Sequence, residues 1–191
     1  ISGEIKSGKT SFANYLLSKE ENVSYFSLPK DESLTLKKLD NLIFSPIVDS
    51  ISESQQKVIV IDNLEQVLAV KSSTEVFAKL SQLIKDYSET HVFVLVMNKL
   101  FLEYAKMQHQ FGSSIFINIQ LQSQSLDDIH KAIWIRHRQS SITLMYNQED
   151  SDSEITERTR RKISKMLHKQ SGGNVGVAFA HWLGAISYKN G

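Results

Sequence analysis

The stretch GEIKSGKT, residues 3 to 10, lies almost at the start of the chain and places Gly3 and Gly8 around four other residues, followed by lysine and threonine. This spacing is the full pattern of a phosphate-binding loop, in which the two glycines permit backbone angles that larger residues resist. Successive N–H groups then turn inward around a bound phosphate. The pattern predicts a loop that consists of Gly3, Glu4, Ile5, Lys6, Ser7, Gly8, Lys9, Thr10 and Ser11.

A helix is predicted from Thr10 to about Lys19, directly after this loop. The positive end of the helix dipole favours an anion at this point. Lys9 is expected to reach the β- and γ-phosphates of a nucleotide, and the Thr10 hydroxyl is expected to occupy one position around Mg²⁺. An ordinary glycine turn before a helix is the alternative, and the next apolar strand weighs against it.

The segment KVIVIDNLEQVL, residues 57 to 68, begins as an apolar strand that ends in Asp62. In sheets of parallel strands, ligands bind beyond the carboxyl ends of the strands, where a carboxylate can hold Mg²⁺ beside the phosphates, largely through water. An acidic residue at a strand end is common by chance, but its combination with the loop is specific. A nucleotide phosphate and Mg²⁺ are therefore expected at this place, with Thr10 and Asp62 as the metal ligands.

Apolar runs rich in β-branched residues alternate with segments of helical spacing, which is typical of a parallel sheet covered by helices. In addition to a stub at Ile1, strands are predicted at residues 23–28, 57–62, 92–98 and 115–121. Crossover helices are predicted within residues 34–51 and 73–88, and the second is expected to have an apolar face formed by Val76, Phe77, Leu80, Leu83 and Ile84. The chain is thus expected to contain five parallel strands.

The last third of the chain has a helical pattern. Ser125 and Asp128 form a helix-capping signal before an apolar stripe. Further helices are predicted at residues 154–169 and 175–188. We expect a nucleotide-binding core at residues 1–122 and a helical lid at residues 123–191.

Composition limits the classes of protein that remain. The 191 residues include no cysteine, which excludes disulfides and thiolate chemistry, fits a reducing compartment and favours a cytoplasmic protein. No apolar run approaches the roughly 20 residues that cross a bilayer. A formal net charge of +1 gives no overall field that would attract nucleic acid. Since a phosphate loop normally follows a complete strand, we expect the sequence to be part of a longer chain.

In this order, the motifs resemble those of the additional-strand P-loop ATPases, specifically the AAA+ ATPases and the related STAND signalling NTPases. The matching segments are GEIKSGKT as Walker A, VIVIDNLE (58–65) as Walker B, HVFVLVMNK (91–99) as the strand that ends in the sensor-1 residue, and a helical lid from about Ser123. The resemblance implies an α/β fold: a three-layer P-loop NTPase core with a five-stranded parallel sheet in the order 5-1-4-3-2, plus a small C-terminal helical lid. It also implies that Asn98 lies near the γ-phosphate and orients the attacking water. The alternative is that Asn98 satisfies backbone groups at a strand end.

Two features depart from the AAA+ pattern. Asn63 follows Asp62 where AAA+ motors carry a glutamate, and an amide cannot accept the proton of the attacking water. Glu65 either supplies this carboxylate or stabilises the first turn of a helix, and both interpretations remain open. No arginine precedes Arg136, so the core offers no candidate for an arginine finger. A ring motor driven by a neighbour's arginine is therefore not favoured.

The lid carries two groups of basic residues. Arg136 and Arg138 either contact a phosphate or stabilise the C-terminal end of a helix. The run RTRRK, residues 158–162, is interpreted as the solvated face of a helix. A nucleic-acid surface is the alternative, weakened by the lack of interleaved aromatic residues. Val175 stands where many AAA+ lids have a sensor-2 arginine, and Trp182 is expected in the core of the lid.

We expect an ATP-binding domain with weak ATPase activity, which couples Mg·ATP binding and slow hydrolysis to movement between core and lid and to assembly. Glu65 and Asn98 are the candidate catalytic residues. The alternatives are a nucleotide-dependent signalling switch or scaffold with little turnover, and a DNA-binding initiator or loader. A small-molecule kinase is less consistent with the sequence, because such kinases place several arginines around the phosphates and the core here contains none. In addition to ATP, the expected partner is a second copy of this chain or another domain of the longer chain.

Overall fold

The computed structural model describes residues 1–30, 34–52, 57–107, 109–140 and 156–186. The chain has an α/β fold and divides into two compact units. The first unit consists of Ile1–Ile5 and Lys9–Leu121, and the second consists of Lys6–Gly8 and Gln122–Gly191. Within the described ranges, no helix combines the length and the apolar character that crossing a membrane requires.

All paired strands of the first unit run parallel. The strands are β1 (Ser2–Gly3), β2 (Val23–Ser27), β3 (Val58–Asp62), β4 (Val92–Leu95), β5 (Met97–Asn98) and β6 (Gln120–Leu121). In the described residues they form two three-stranded sheets, in the orders β5-β1-β6 and β2-β3-β4. The prediction of one continuous five-stranded sheet is therefore wrong, although the predicted strands pair with the neighbours that the order 5-1-4-3-2 gives them, and α/β organisation with parallel strands is confirmed.

The predicted strand at residues 92–98 is divided at Val96, and this division separates the two sheets. The Val96 N–H donates to the Ile61 carbonyl at 2.9 Å, whereas the next N–H, from Met97, donates to the Ile1 carbonyl at 3.0 Å. The Val96 carbonyl in turn accepts from Leu64, beyond the end of β3, at 3.1 Å. Because β3 stops at Asp62, the chain can pair with β3 only up to this point and then passes to β1.

The predicted strand at residues 115–121 is mostly absent. Only Gln120 and Leu121 pair as β6, opposite Ser2 and Gly3. Phe116 and Ile117 are 83% and 80% exposed. Because β1 contains only two residues, only two residues of this segment can pair with it. The apolar residues before Gln120 therefore lie outside the sheet.

Helices α1 to α9 cover much of the remaining chain. They are Lys9–Leu17, Leu36–Leu39, Ser45–Ser52, Ser73–Tyr87, Lys99–Met107, His109–Gly112, Leu126–Gln139, Glu157–Ser171 and Val175–Ala185. A π-helical turn at Asp40–Phe44 joins α2 to α3, and a 3-10 helix at Leu64–Ala69 follows β3. Both predicted crossover segments are thus helical, while the predicted start at residue 154 and end at residue 188 lie outside the described residues.

Each unit has its own apolar core. In the first, α4 buries the face predicted from its spacing, and Phe77 stacks on Phe101 of α5 with ring centroids 5.7 Å apart. In the second, Trp134 of α7 meets Trp182 of α9 at 5.4 Å. The prediction that Trp182 is a core residue is therefore confirmed, as is the cap of α7, where the Ser125 side chain accepts from the Asp128 N–H.

Candidate functional site

The loop between β1 and α1 reverses the chain through two residues in the left-handed region. Gly8 has φ of 90° and Lys6 has φ of 63°. Gly3 instead lies within β1, where it pairs with Asn98 and Leu121. The expectation that Gly3 and Gly8 supply the unusual backbone angles is therefore correct for Gly8, whereas Gly3 has a strand conformation and Lys6 takes the second left-handed position.

The Lys9 side chain folds back over the loop. Its Nζ donates to the Glu4 carbonyl at 2.8 Å and to the Gly3 carbonyl at 3.4 Å. Burial lowers the pKa of Lys9 from its ordinary value, and the nearby carboxylates of Glu65, Asp62 and Glu4 oppose this shift. The loop thus holds a partly buried cation whose hydrogen-bond acceptors are its own neutral carbonyls.

The tip of the loop, Lys6–Gly8, belongs to the second unit. There the Gly176 N–H donates to the Lys6 carbonyl at 3.1 Å. A Cβ added at Gly176 would meet the same oxygen at 2.4 Å, so this approach requires glycine. Ser7 Oγ is buried and has no hydrogen-bond partner among the described residues.

Asp62 is almost fully buried, with 2% of its surface exposed, and gathers three hydrogen-bond donors. Its Oδ2 accepts from Thr10 Oγ1 at 2.7 Å and from the Tyr25 hydroxyl at 2.6 Å, and its Oδ1 accepts from the Asn63 N–H at 2.7 Å. The structure therefore brings together Thr10 and Asp62, the two residues predicted as metal ligands.

Tyr25 was not predicted as a site residue. Burial and, next, the hydrogen bond to Asp62 raise the pKa of Tyr25 to about 12. No motif in the sequence marks this tyrosine, because its approach to Asp62 depends on β2 lying beside β3. The signal that the sequence does offer is its position within the strand predicted at residues 23–28.

Asn63, at the position after Asp62, and Glu65, the candidate base, have different surroundings. Asn63 has φ of 57°, and its Nδ2 donates to Ser27 Oγ at 2.9 Å. Glu65 lies in the first turn of the 3-10 helix, and its Oε2 accepts from the Asn98 N–H at 3.2 Å. Glu65 and Asn98, far apart in sequence, are thus neighbours at the ends of β3 and β5.

The Asn98 side chain caps the helix that follows it. Its Oδ1 accepts from the Phe101 N–H at 2.7 Å, at the start of α5. This contact agrees with the interpretation that Asn98 satisfies backbone groups at a strand end. It also fixes the orientation of the amide, whose nitrogen remains the group able to donate to a phosphate oxygen or water.

Arg136 and Arg138, at the end of α7, make contacts within the second unit. The Arg136 guanidinium lies 5.4 Å from the centroid of the Phe179 ring. Arg138 Nε donates to the Trp134 carbonyl at 3.3 Å. Both contacts are typical of arginines that pack along a helix surface and stabilise its end.

The basic run at residues 158–162 is divided between packed and exposed side chains. Arg160 lies 5.2 Å from the centroid of the Trp134 ring, and Arg161 pairs with Asp127 at 2.6 Å. Arg158 and Lys162 are exposed. Among the described contacts of this run, Arg161 has an acidic partner, whereas none is described for the exposed Arg158 and Lys162.

Similarity to solved structures is confined to the fold. The Aeropyrum pernix ORC2 protein in its ADP form matches with a TM-score of 0.58 and 14% identity, over 98% of this chain and 58% of that chain. The A. pernix ORC1 protein in complex with DNA matches with a TM-score of 0.54 and 12% identity, over 96% of this chain and 58% of that chain. The chain shares the fold of these two proteins. The chain spans 58% of the length of each of these two proteins, and neither a scan of protein-family models nor a search of curated proteins finds a match.

The side chains in the loop and at the end of β3 suit a nucleotide phosphate and a magnesium ion. The buried Ser7 hydroxyl can donate to an anionic oxygen. Thr10 and Asp62 place hard oxygen atoms 2.7 Å apart, and oxygen is the ligand that Mg²⁺ prefers. In the described part of the chain, no group of three or more His, Cys, Asp or Glu residues forms a metal site. A cation held by Thr10 and Asp62 would thus depend on phosphate and water for its other ligands, as is usual for Mg²⁺.

Proposed function

We propose that this protein binds Mg·ATP through the loop at residues 3–11 and hydrolyses it slowly. The observation that carries the proposal is the 2.7 Å hydrogen bond from Thr10 to Asp62, which joins the start of α1 to the end of β3. The nucleotide-binding core is assigned to residues 1–122 and the helical lid to residues 123–191. The adenine nucleotide is supported by the fold shared with the A. pernix ORC2 protein, solved in an ADP form.

Each residue of the site has a proposed role. Lys9 binds the phosphates, because its ammonium already lies inside the loop with carbonyl acceptors that an anion can replace. Thr10 and Asp62 hold Mg²⁺, largely through water, and the loop amides of Gly3 to Ser11 bind phosphate oxygens. When bound, Mg²⁺ neutralises charge on the phosphates.

Slow hydrolysis follows from the residues around the reacting phosphate. Asn63 donates to Ser27 and cannot accept a proton, so Glu65 is the candidate base. Asn98 orients the attacking water through its amide nitrogen, while its carbonyl oxygen holds α5. The nucleotide state in turn controls movement of the lid and assembly with another copy or a further domain.

Calorimetry on Lys9→Ala tests the proposal. We expect ATP with Mg²⁺ to give a binding heat with the unchanged protein and at least a tenfold weaker affinity with Lys9→Ala, because the phosphates lose a charged donor. Lys19→Ala, at an exposed lysine just beyond α1, is the matched control and should bind normally. No heat with the unchanged protein, or full affinity in Lys9→Ala, would contradict the assignment.

Two alternative functions have specific support. Asn63 at the position after Asp62 favours a STAND-like switch or scaffold in which occupancy, with little turnover, controls assembly. A DNA-binding initiator or loader is favoured by the fold shared with the A. pernix ORC1 protein, solved in complex with DNA, together with exposed Arg158 and Lys162 on α8. Hydrolysis and salt-dependent DNA binding distinguish these two alternatives.

A further inference from the structure

The Tyr25 hydroxyl makes a contact that none of the site roles above uses. It donates to Asp62 Oδ2 at 2.6 Å, on the same oxygen that accepts from Thr10. Tyr25 as a residue is 39% exposed, so its position is not explained by burial in the apolar core. The contact with Asp62 is its distinguishing feature.

The pairing of β2 with β3 explains how the tyrosine reaches Asp62. The strands are parallel, with Tyr25 opposite Val60 and Ser27 opposite Asp62. Tyr25 and Ser27 lie on the same face of β2, because side chains two residues apart in a strand point the same way. Tyr25 thus lies two residues before Ser27, the residue opposite Asp62. Its long side chain extends along the strand and reaches the Asp62 carboxylate.

The two donors on Asp62 Oδ2 differ in what else they do. A carboxylate oxygen has two lone-pair directions, and Thr10 and Tyr25 supply one donor each. The Thr10 hydroxyl is also the group assigned to Mg²⁺, so the same oxygen atom both donates to Asp62 and is proposed to contact the metal. Tyr25 has no such second assignment.

We propose that Tyr25 is a positioning residue that fixes the orientation of the Asp62 carboxylate for Mg²⁺. This inference rests on the proposed function, since it concerns the same metal site. Partners that orient a metal-binding carboxylate commonly change metal affinity about 10- to 100-fold when they are removed. Tyr25 therefore sets how much Mg²⁺ the protein needs to bind nucleotide tightly.

The test is the Mg²⁺ concentration that gives half of the magnesium-dependent gain in ATP affinity, measured by calorimetry. We expect Tyr25→Phe, which keeps the ring, to raise this concentration about tenfold. ATP affinity in excess EDTA should stay unchanged, whereas general damage to the site would lower it. Tyr15→Phe, at a tyrosine of α1 that is 60% exposed, is the matched control and should leave both values unchanged.

A second pair of variants separates positioning from a merely structural contribution. In an Asp62→Asn background, Tyr25→Phe should have no further effect on ATP affinity with Mg²⁺, because both changes act on one carboxylate. An additive loss there, or an unchanged Mg²⁺ requirement in Tyr25→Phe, would overturn the positioning role alone. A lack of any magnesium-dependent ATP binding in the unchanged protein would overturn the proposed function and this role with it.

Discussion

Asp62 is the residue on which the candidate site depends. A buried carboxylate is costly unless it is hydrogen-bonded, and here donors from α1, β2 and its own backbone turn meet it. The next residue, Asn63, is in the left-handed region, which asparagine tolerates better than most residues with a side chain. The turn after β3 therefore suits asparagine at the position where the sequence resemblance predicts a glutamate.

Hydrolysis tests whether Glu65 is the base. We expect Glu65→Gln to slow single-turnover ATP cleavage about 10²- to 10⁴-fold with nearly normal ATP affinity, because the amide keeps the shape of the side chain but cannot accept a proton. Glu75→Gln, at an exposed carboxylate in the first turn of α4, is the control. Equal cleavage rates in Glu65→Gln and the unchanged protein would remove Glu65 from the mechanism and favour the switch.

Among the helices, α7 and α8 are joined by a buried polar contact at Ser164. The Ser164 Oγ is hydrogen-bonded to Trp134 Nε1 at 3.1 Å and His130 Nδ1 at 3.0 Å, and it donates to the Arg160 carbonyl at 3.0 Å. His130 also pairs with Glu157 at 2.9 Å. One small hydroxyl thus satisfies groups on two helices, in a unit whose core is otherwise built on the packing of two tryptophans.

Removing this hydroxyl should destabilise the second unit. We expect Ser164→Ala to lower the free energy of unfolding by roughly 1–3 kcal/mol, because the buried Trp134 N–H loses its acceptor. Thermal or urea denaturation, followed by tryptophan fluorescence, measures the change. Lys165→Ala, at the neighbouring exposed position, should change stability by less than about 0.5 kcal/mol. An equal effect of the two substitutions would show that the Ser164 contacts contribute nothing.

Over the complete chain, charge is nearly balanced, with a formal net value of +1. Any attraction to DNA must therefore arise from a local surface, because no overall field draws a polyanion to the protein. On α8, Arg160 and Arg161 are engaged with Trp134 and Asp127, which leaves fewer charges for this purpose than the sequence suggests. The DNA-binding alternative accordingly concerns a small surface around Arg158 and Lys162.

Salt dependence tests that alternative. If α8 binds DNA, the logarithm of the affinity should fall linearly with the logarithm of the salt concentration, and the double variant Arg158→Ala and Lys162→Ala should reduce this slope by roughly 2. Fluorescence anisotropy with a labelled duplex measures both quantities. Changing exposed Lys37 and Lys38 of α2 to alanine is the charge-matched control. Absence of binding at 50 mM salt, where phosphate contacts are strongest, would exclude the DNA-binding function.

Local patterns in the sequence were sufficient to predict the loop, the strand that ends at Asp62, the amphipathic face of α4 and the Ser125 cap, because each depends on residues close together in the chain. The register of the strands and the points where pairing ends were decided only in the folded chain: the division of the sheet at Val96 follows from where β3 ends. The same holds for Tyr25 of β2, which reaches Asp62 at the end of the neighbouring strand, and for the Asn98 N–H, which donates to the distant Glu65. Contacts between distant segments depend on register and strand order, and no spacing within a single segment encodes them.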